Sequence, residues 1–154
     1  MTDHNVNQFC LDQAYKAATD AQLAIGAVWV AKGAQGDGLG QDGADRYACG
    51  FAWVDLNPQA HPFVKWLKLQ IKEAGYKYVS SNLRTLSGAV PNNDAHRDVE
   101  RFGHPGYPKG WQFWKPGIFA GQNIDTHVAG AEAFAASLKA AFPDLEVHAG
   151  SRLD

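Results

Sequence analysis

Large and small residues alternate along two segments, Tyr47-Ala-Cys-Gly-Phe-Ala-Trp-Val54 and Gly110-Trp-Gln-Phe-Trp114. A period of two is the mark of a strand whose two faces differ. Each segment is followed by a helical pattern. After the first, Pro62 suits the opening turn, Phe63, Trp66, Leu67, Ile71 and Ala74 form a stripe, and Gly75 supplies the stop. After the second, Asp125 or Thr126 is placed to cap a helix carrying Ala131, Phe134, Ala135, Leu138 and Phe142 on one side. Residues 76–80 and 145–148 read as two further strands. Ahead of all this, residues 5–24 carry Val6, Cys10, Ala14, Ala17, Ala21 and Ala24 at helical spacing, and residues 25–30 read as a short strand despite Gly26. Glycines at 33, 36, 38, 40 and 43 make the next stretch a loop.

From residue 46 the order is strand, helix, strand, strand, helix, strand. The expected fold is therefore α+β, with a ferredoxin-like βαββαβ antiparallel sheet, an added N-terminal helix and strand (1–45), and a long polar insertion at 81–109 between the second and third core strands. In that topology the two aromatic segments are neighbouring central strands. Gly50, Ala52 and Val54 form the small side on which helices can settle, so Phe51 and Trp53 are assigned to the other face. Trp111 and Phe113 are assigned as their partners there, with Gln112 and Trp114 on the reverse. Residues 5–30 need a surface to pack on, and this face is the expected one, because four exposed rings make an unusually large apolar patch. Left uncovered, the same rings would form a platform for stacking flat ligands, as in RNA-recognition domains of this topology.

At 154 residues the chain suits one domain, 1–154, and is long enough to bury a substantial core. A net charge of −2 argues against broad binding along phosphate backbones, though not against a local basic patch. Neither a secretory signal nor an apolar run long enough to span a bilayer is expected, and Cys10 and Cys49 read as free thiols in a reducing, cytoplasmic setting.

Several strings resemble a group of small uncharacterised proteins of bacteriophage and environmental genomes. They are Cys49-Gly-Phe-Ala-Trp-Val54, Phe63-Val-Lys-Trp-Leu-Lys68, Gly121-Gln122, Ala131-Glu-Ala-Phe-Ala135 and the ending Ala149-Gly-Ser-Arg-Leu-Asp154. The resemblance brings no established activity with it.

Candidate chemistry is sparse. Gly38-Leu-Gly-Gln-Asp-Gly43 matches G-x-G-x-x-G, but a strand follows it where a nucleotide loop needs a helix, so it reads as a connector. Cys49 has no neighbouring histidine in sequence and reads as a small core residue. His96, Arg97, Asp98, Glu100, Arg101 and His104 crowd the insertion without a standard zinc spacing, and a solvated, self-paired loop is expected. Lys65, Lys68, Lys72 and Lys77 read as the wet side of a helix. Gln122, Asp125, His127 and Arg152 are the candidates for a small polar site at a helix start, against ordinary capping. No metal or cofactor is expected.

The leading expectation is a phage-type binding protein rather than an enzyme. Phe51, Trp53, Trp111 and Phe113, with Gln122, Asp125, His127 and Arg152, would hold a host or phage protein, a nucleotide or single-stranded nucleic acid. The rivals are a small hydrolase- or transferase-type enzyme centred on Asp125, His127 and Arg152 with His96 or His104, and a structural protein that forms homo-oligomers through its aromatic face.

Overall fold

A computed structural model describes residues 3–31, 50–106, 110–119 and 123–153. The glycine-rich stretch, Cys49 and Gln122 lie outside them. Helix α1 spans His4–Ala31, where a helix followed by a strand was expected. Asp3 caps it, accepting from the backbone N–H of Asn5 at 2.8 Å. Residues 25–30 extend the helix because adding a turn to an existing helix needs no new nucleus. The buried stripe of α1 is Asn7, Leu11, Ala14, Ala18 and Gln22, rotated from the expected one, and Val6 is exposed. Alanines surround this helix, so Leu11 and two polar residues decide which side goes in.

Strand β1 is Gly50–Asn57, α2 is Pro62–Glu73, and β2 is Tyr76–Val79. The expected stripe of α2 is buried, apart from exposed Ala74. Within the polar stretch 81–109, expected as a loop, the described residues 81–106 form short elements. These are β3 (Asn82–Thr85), α3 (Asn93–Glu100) and the two-residue β4 (His104–Pro105), pinned by buried Leu83 and Val99. Strand β5 is Trp111–Trp114 and α4 is Ile124–Ala141. Asn123, not Asp125 or Thr126, caps α4, its side-chain oxygen accepting from the Thr126 N–H at 3.1 Å. Strand β6, Glu146–Leu153, runs five residues beyond the expected end, because it pairs with β1 along that strand's whole length.

The fold is α+β, with an antiparallel four-stranded sheet in the order β4-β5-β1-β6 and a separate β2–β3 hairpin. The aromatic strands β1 and β5 are indeed central neighbours. Strand β2 does not join the sheet as expected; it pairs with β3, and β4 takes the place beside β5.

The core lies on one side of the sheet. Ala52, Val54 and Leu56 are fully buried there, and α4 packs over them. Phe134 of α4 meets Phe113 at 4.8 Å between ring centres and Tyr15 of α1 at 4.9 Å. Residues 4–31 therefore pack with α4 on the helix side, and α1 does not cover the aromatic face as expected. At the α2 start, His61 Nδ1 accepts from the Phe63 N–H at 3.0 Å. Its proton is thereby placed on Nε2, which donates to Asp144 Oδ1 at 3.1 Å. This bond holds the Asp144 carboxyl below its usual range.

Two outcomes follow from this packing. Phe134→Ala should lower the unfolding free energy by about 3–5 kcal/mol in urea titrations, since it empties the junction of α1, α4 and β5. The Asp144 carboxyl has a lower pKa folded than unfolded, so its contribution is full above the ordinary carboxylate range and fades as pH falls through the folded value. The stability gap between the native chain and Asp144→Asn should accordingly shrink on acidification below about pH 4 in pH-stepped denaturation.

Candidate functional site

The side of the sheet away from the helices is built by the alternation of β1. With Ala52, Val54 and Leu56 turned inward, Phe51, Trp53 and Asp55 must point outward. Pairing sets the rest. Trp53 lies opposite Trp114, Asp55 opposite Gln112, Phe51 opposite Arg152, Trp53 opposite Gly150, and Gln112 opposite His104. Directly opposed residues in an antiparallel pair share a face.

The outward rings form a continuous cluster. Trp53 and Trp114 lie nearly parallel, 11° apart with centres at 5.9 Å, and Phe51 contacts Trp114 at 4.7 Å. The Arg152 guanidinium sits over Phe51 at 4.7 Å, within cation–π range. Asp55 braces the cluster from below: one carboxylate oxygen accepts from Trp53 Nε1 at 3.1 Å, the other from Gln112 Nε2 at 3.0 Å. On the β6 side, Gly150 makes room for the indole, since a Cβ there would lie 2.7 Å from Trp53 ring atoms. Trp114 keeps 44% of its surface exposed.

Trp111 and Phe113 are not on this platform. They are 3% and 1% exposed and point into the core, opposite Leu56 and Val54. Trp111 also satisfies its indole N–H there, on the Phe102 carbonyl at 2.8 Å. The third-strand phase is thus opposite to the expected one, and a shift of one residue exchanges every side chain between faces. Gln112 carried the missed signal: as the polar member of Trp-Gln-Phe-Trp it belongs outside, and it takes Trp114 with it. Asp55, Gln112 and Trp114 join the site for this reason.

The polar site near the start of α4 is not assembled. Asp125 is exposed in the first turn of that helix, whereas His127 is 1% exposed beneath Phe119, 5.1 Å between ring centres. The Arg152 guanidinium is instead engaged over the Phe51 ring, on the aromatic face.

Two depressions border Trp114. One, of about 290 Å³, is lined by Tyr78, Ser81, His96, Glu100, His104 and Trp114. His104 Nδ1 donates to the Pro105 carbonyl at 2.9 Å. His96 and Glu100 pair at 2.5 Å. The Tyr78 hydroxyl donates to the Gly103 carbonyl at 3.0 Å, and burial together with nearby Glu100 pushes its pKa up. The other, of about 340 Å³, brings Arg97, Arg101 and Lys115 beside Trp114, with Glu100 common to both depressions. Arg101 is already engaged, paired with Asp12 and lying over the Tyr15 ring at 4.5 Å. Among the described residues, no three His, Cys, Asp or Glu side chains come together as a metal ion would require. None of the described helices is long and apolar enough to cross a membrane. Comparison with protein families, with curated proteins and with solved structures gives no match for this chain.

Gly150→Val should push Trp53 off β6. The expected cost is about 1–3 kcal/mol in chemical denaturation, with a shifted tryptophan emission maximum. In a Trp53→Ala background the same change should have little effect, because the clash is with that indole; equal costs in both backgrounds would contradict the packing described.

Proposed function

We propose that this is a small binding protein that stacks the bases of a nucleotide or of single-stranded nucleic acid on Phe51, Trp53 and Trp114. One observation carries the reading: a braced cluster of three rings sits on the sheet face that neither α1 nor α4 covers, with Trp114 substantially exposed. Bases of any sequence present a π-face, and each stacked base contributes about 1–3 kcal/mol. Arg152 over Phe51, and Arg97 and Lys115 beside Trp114, outnumber the Glu100 carboxylate there and supply net positive charge where a sugar–phosphate chain leaving the platform would run. A net charge of −2 then fits a local patch rather than a field covering the molecule.

Two further aspects belong to this reading. Strands β5 and β6 flank β1 and are joined by α4, which supports a ferredoxin-like relation with β4 filling the remaining sheet position. The resemblance to small phage and environmental proteins supports a phage-type role, in which the loops around the platform would meet host or phage partners. Self-association through the rings is the second reading, favoured by the exposure of Trp114.

Titration with short oligonucleotides and with nucleotides, followed by tryptophan emission at low salt, tests the proposal. Quenching is expected, together with a loss of about 1–3 kcal/mol of affinity in Trp114→Ala. With three cations near the path, log K should fall against log salt with a slope of about −2. Emission that stays unchanged on titration would remove the stacking reading. Light scattering that shows a dimer dissociated by Trp114→Ala would favour self-association in its place.

A further inference from the structure

A third depression, of about 440 Å³, lies between α2, the β2–β3 hairpin and the β4 edge, and plays no part in the platform. Its volume is in the range of small-molecule sites. Ile71 and Trp111, both nearly fully buried, form its floor, and Tyr76, Tyr78 and Pro105 contribute the walls. Leu86 stands at its lip with 52% of its surface exposed. The charged groups along the cleft are of one sign. Lys68, Lys72 and Lys77 line it, and no aspartate or glutamate does.

These lysines are not simply the wet side of a helix. Lys68 leans inward, its ammonium 5.6 Å from the centre of the Trp111 ring, with Gln59 accepting from it at 2.6 Å. Partial desolvation there lowers its pKa, so the charged form lacks part of the stabilisation that water would give it. An anion placed in the cleft would restore that stabilisation. An apolar floor under a one-sign cationic rim selects a molecule with both features, since an uncharged apolar guest leaves the ammoniums unpaired and a bare anion leaves the floor wet.

We propose that this cleft binds a small monoanion with an apolar body. Its charged group would pair with Lys68, Lys72 and Lys77, and its body would lie on Ile71, Trp111 and Leu86. Carboxylate, sulfonate and phosphodiester heads share the recognition chemistry, each carrying one negative charge on an apolar frame.

The fluorescent probe 8-anilinonaphthalene-1-sulfonate, titrated against the full chain, tests this. Its emission should rise saturably with one site per chain. Decanoate should displace it at concentrations about tenfold lower than decanol, which has the same length and no charge. The triple variant Lys68→Gln, Lys72→Gln, Lys77→Gln should bind the probe about tenfold more weakly. Leu86→Asp, which places a like charge at the exposed lip, should also weaken it. Trp114→Ala should leave probe binding unchanged, so the result stands apart from any outcome at the aromatic face. Equal displacement by decanol and decanoate, undiminished affinity in the triple variant, or loss of the signal in Trp114→Ala would each overturn the assignment.

Discussion

β1 carries small and branched residues on one side and large rings on the other, and the period of the strand allows no compromise between them. Ala52, Val54 and Leu56 present a low surface, so α4 comes close enough for Phe134 to reach Phe113. Once that surface is inside, Phe51, Trp53 and Asp55 are outside. The antiparallel register with β5 then fixes the sides of four more residues: Trp111 and Phe113 go in, Gln112 and Trp114 go out. The placement of the aromatic cluster on the outer face is therefore no separate design choice. It follows from the way the core is filled, and moving the rings inward would require refilling the helix-facing side with residues the strand does not have there.

The same rings would be poor platform elements if their backbones were loose, and a buried glutamine addresses this. Gln22 of α1 donates toward the carbonyls of Pro116 and Thr126 and accepts from the backbone N–H groups of Ile118 and Phe119 at 2.9 and 3.1 Å. One side chain thus ties α1 to the segment leaving β5 and to the first turn of α4. Leaving such buried groups unpaired costs roughly 1–3 kcal/mol each, so a fully engaged amide is a strong positional constraint. Gly117 and Gly130 give it room, since a Cβ at either would come within 2.4 Å of the Gln22 side chain. Trp114 stands two residues before Pro116 and takes its position from this junction.

Much of this organisation is legible in the sequence, and the failures have physical causes. The faces of β1 and the stripes of α2 and α4 are clear because large and small, or apolar and charged, residues contrast there. The buried side of α1 is hidden in the sequence because alanine offers no such contrast, and the deciding residues include Asn7 and Gln22, whose polarity points to the surface. The phase of β5 failed because three of its four residues are large aromatics, leaving Gln112 as the only indicator of sidedness. Residues 81–109 looked like a loop because the elements within it are short and anchored by single residues such as Leu83 and Val99. The separate hairpin could not be seen at all: Tyr76–Val79 has the composition of a sheet strand, and only the competing partner at Asn82–Thr85 keeps it from the sheet.

That competition also shapes the sheet's edge. With β2 paired to β3, the position beside β5 falls to His104 and Pro105, and a strand this short that contains proline offers little for another chain to extend. At the opposite end of the strand order, β6 is long but carries Glu146, His148 and Arg152 among its outward residues, a charged edge that discourages pairing with a second sheet. Edge-to-edge association is thus opposed at both ends, while the face between them keeps its rings. A surface protected at its margins and apolar at its centre is suited to a partner that arrives flat on the rings rather than to one that adds a strand. Under the proposed binding function, this contrast favours stacking over β-augmentation.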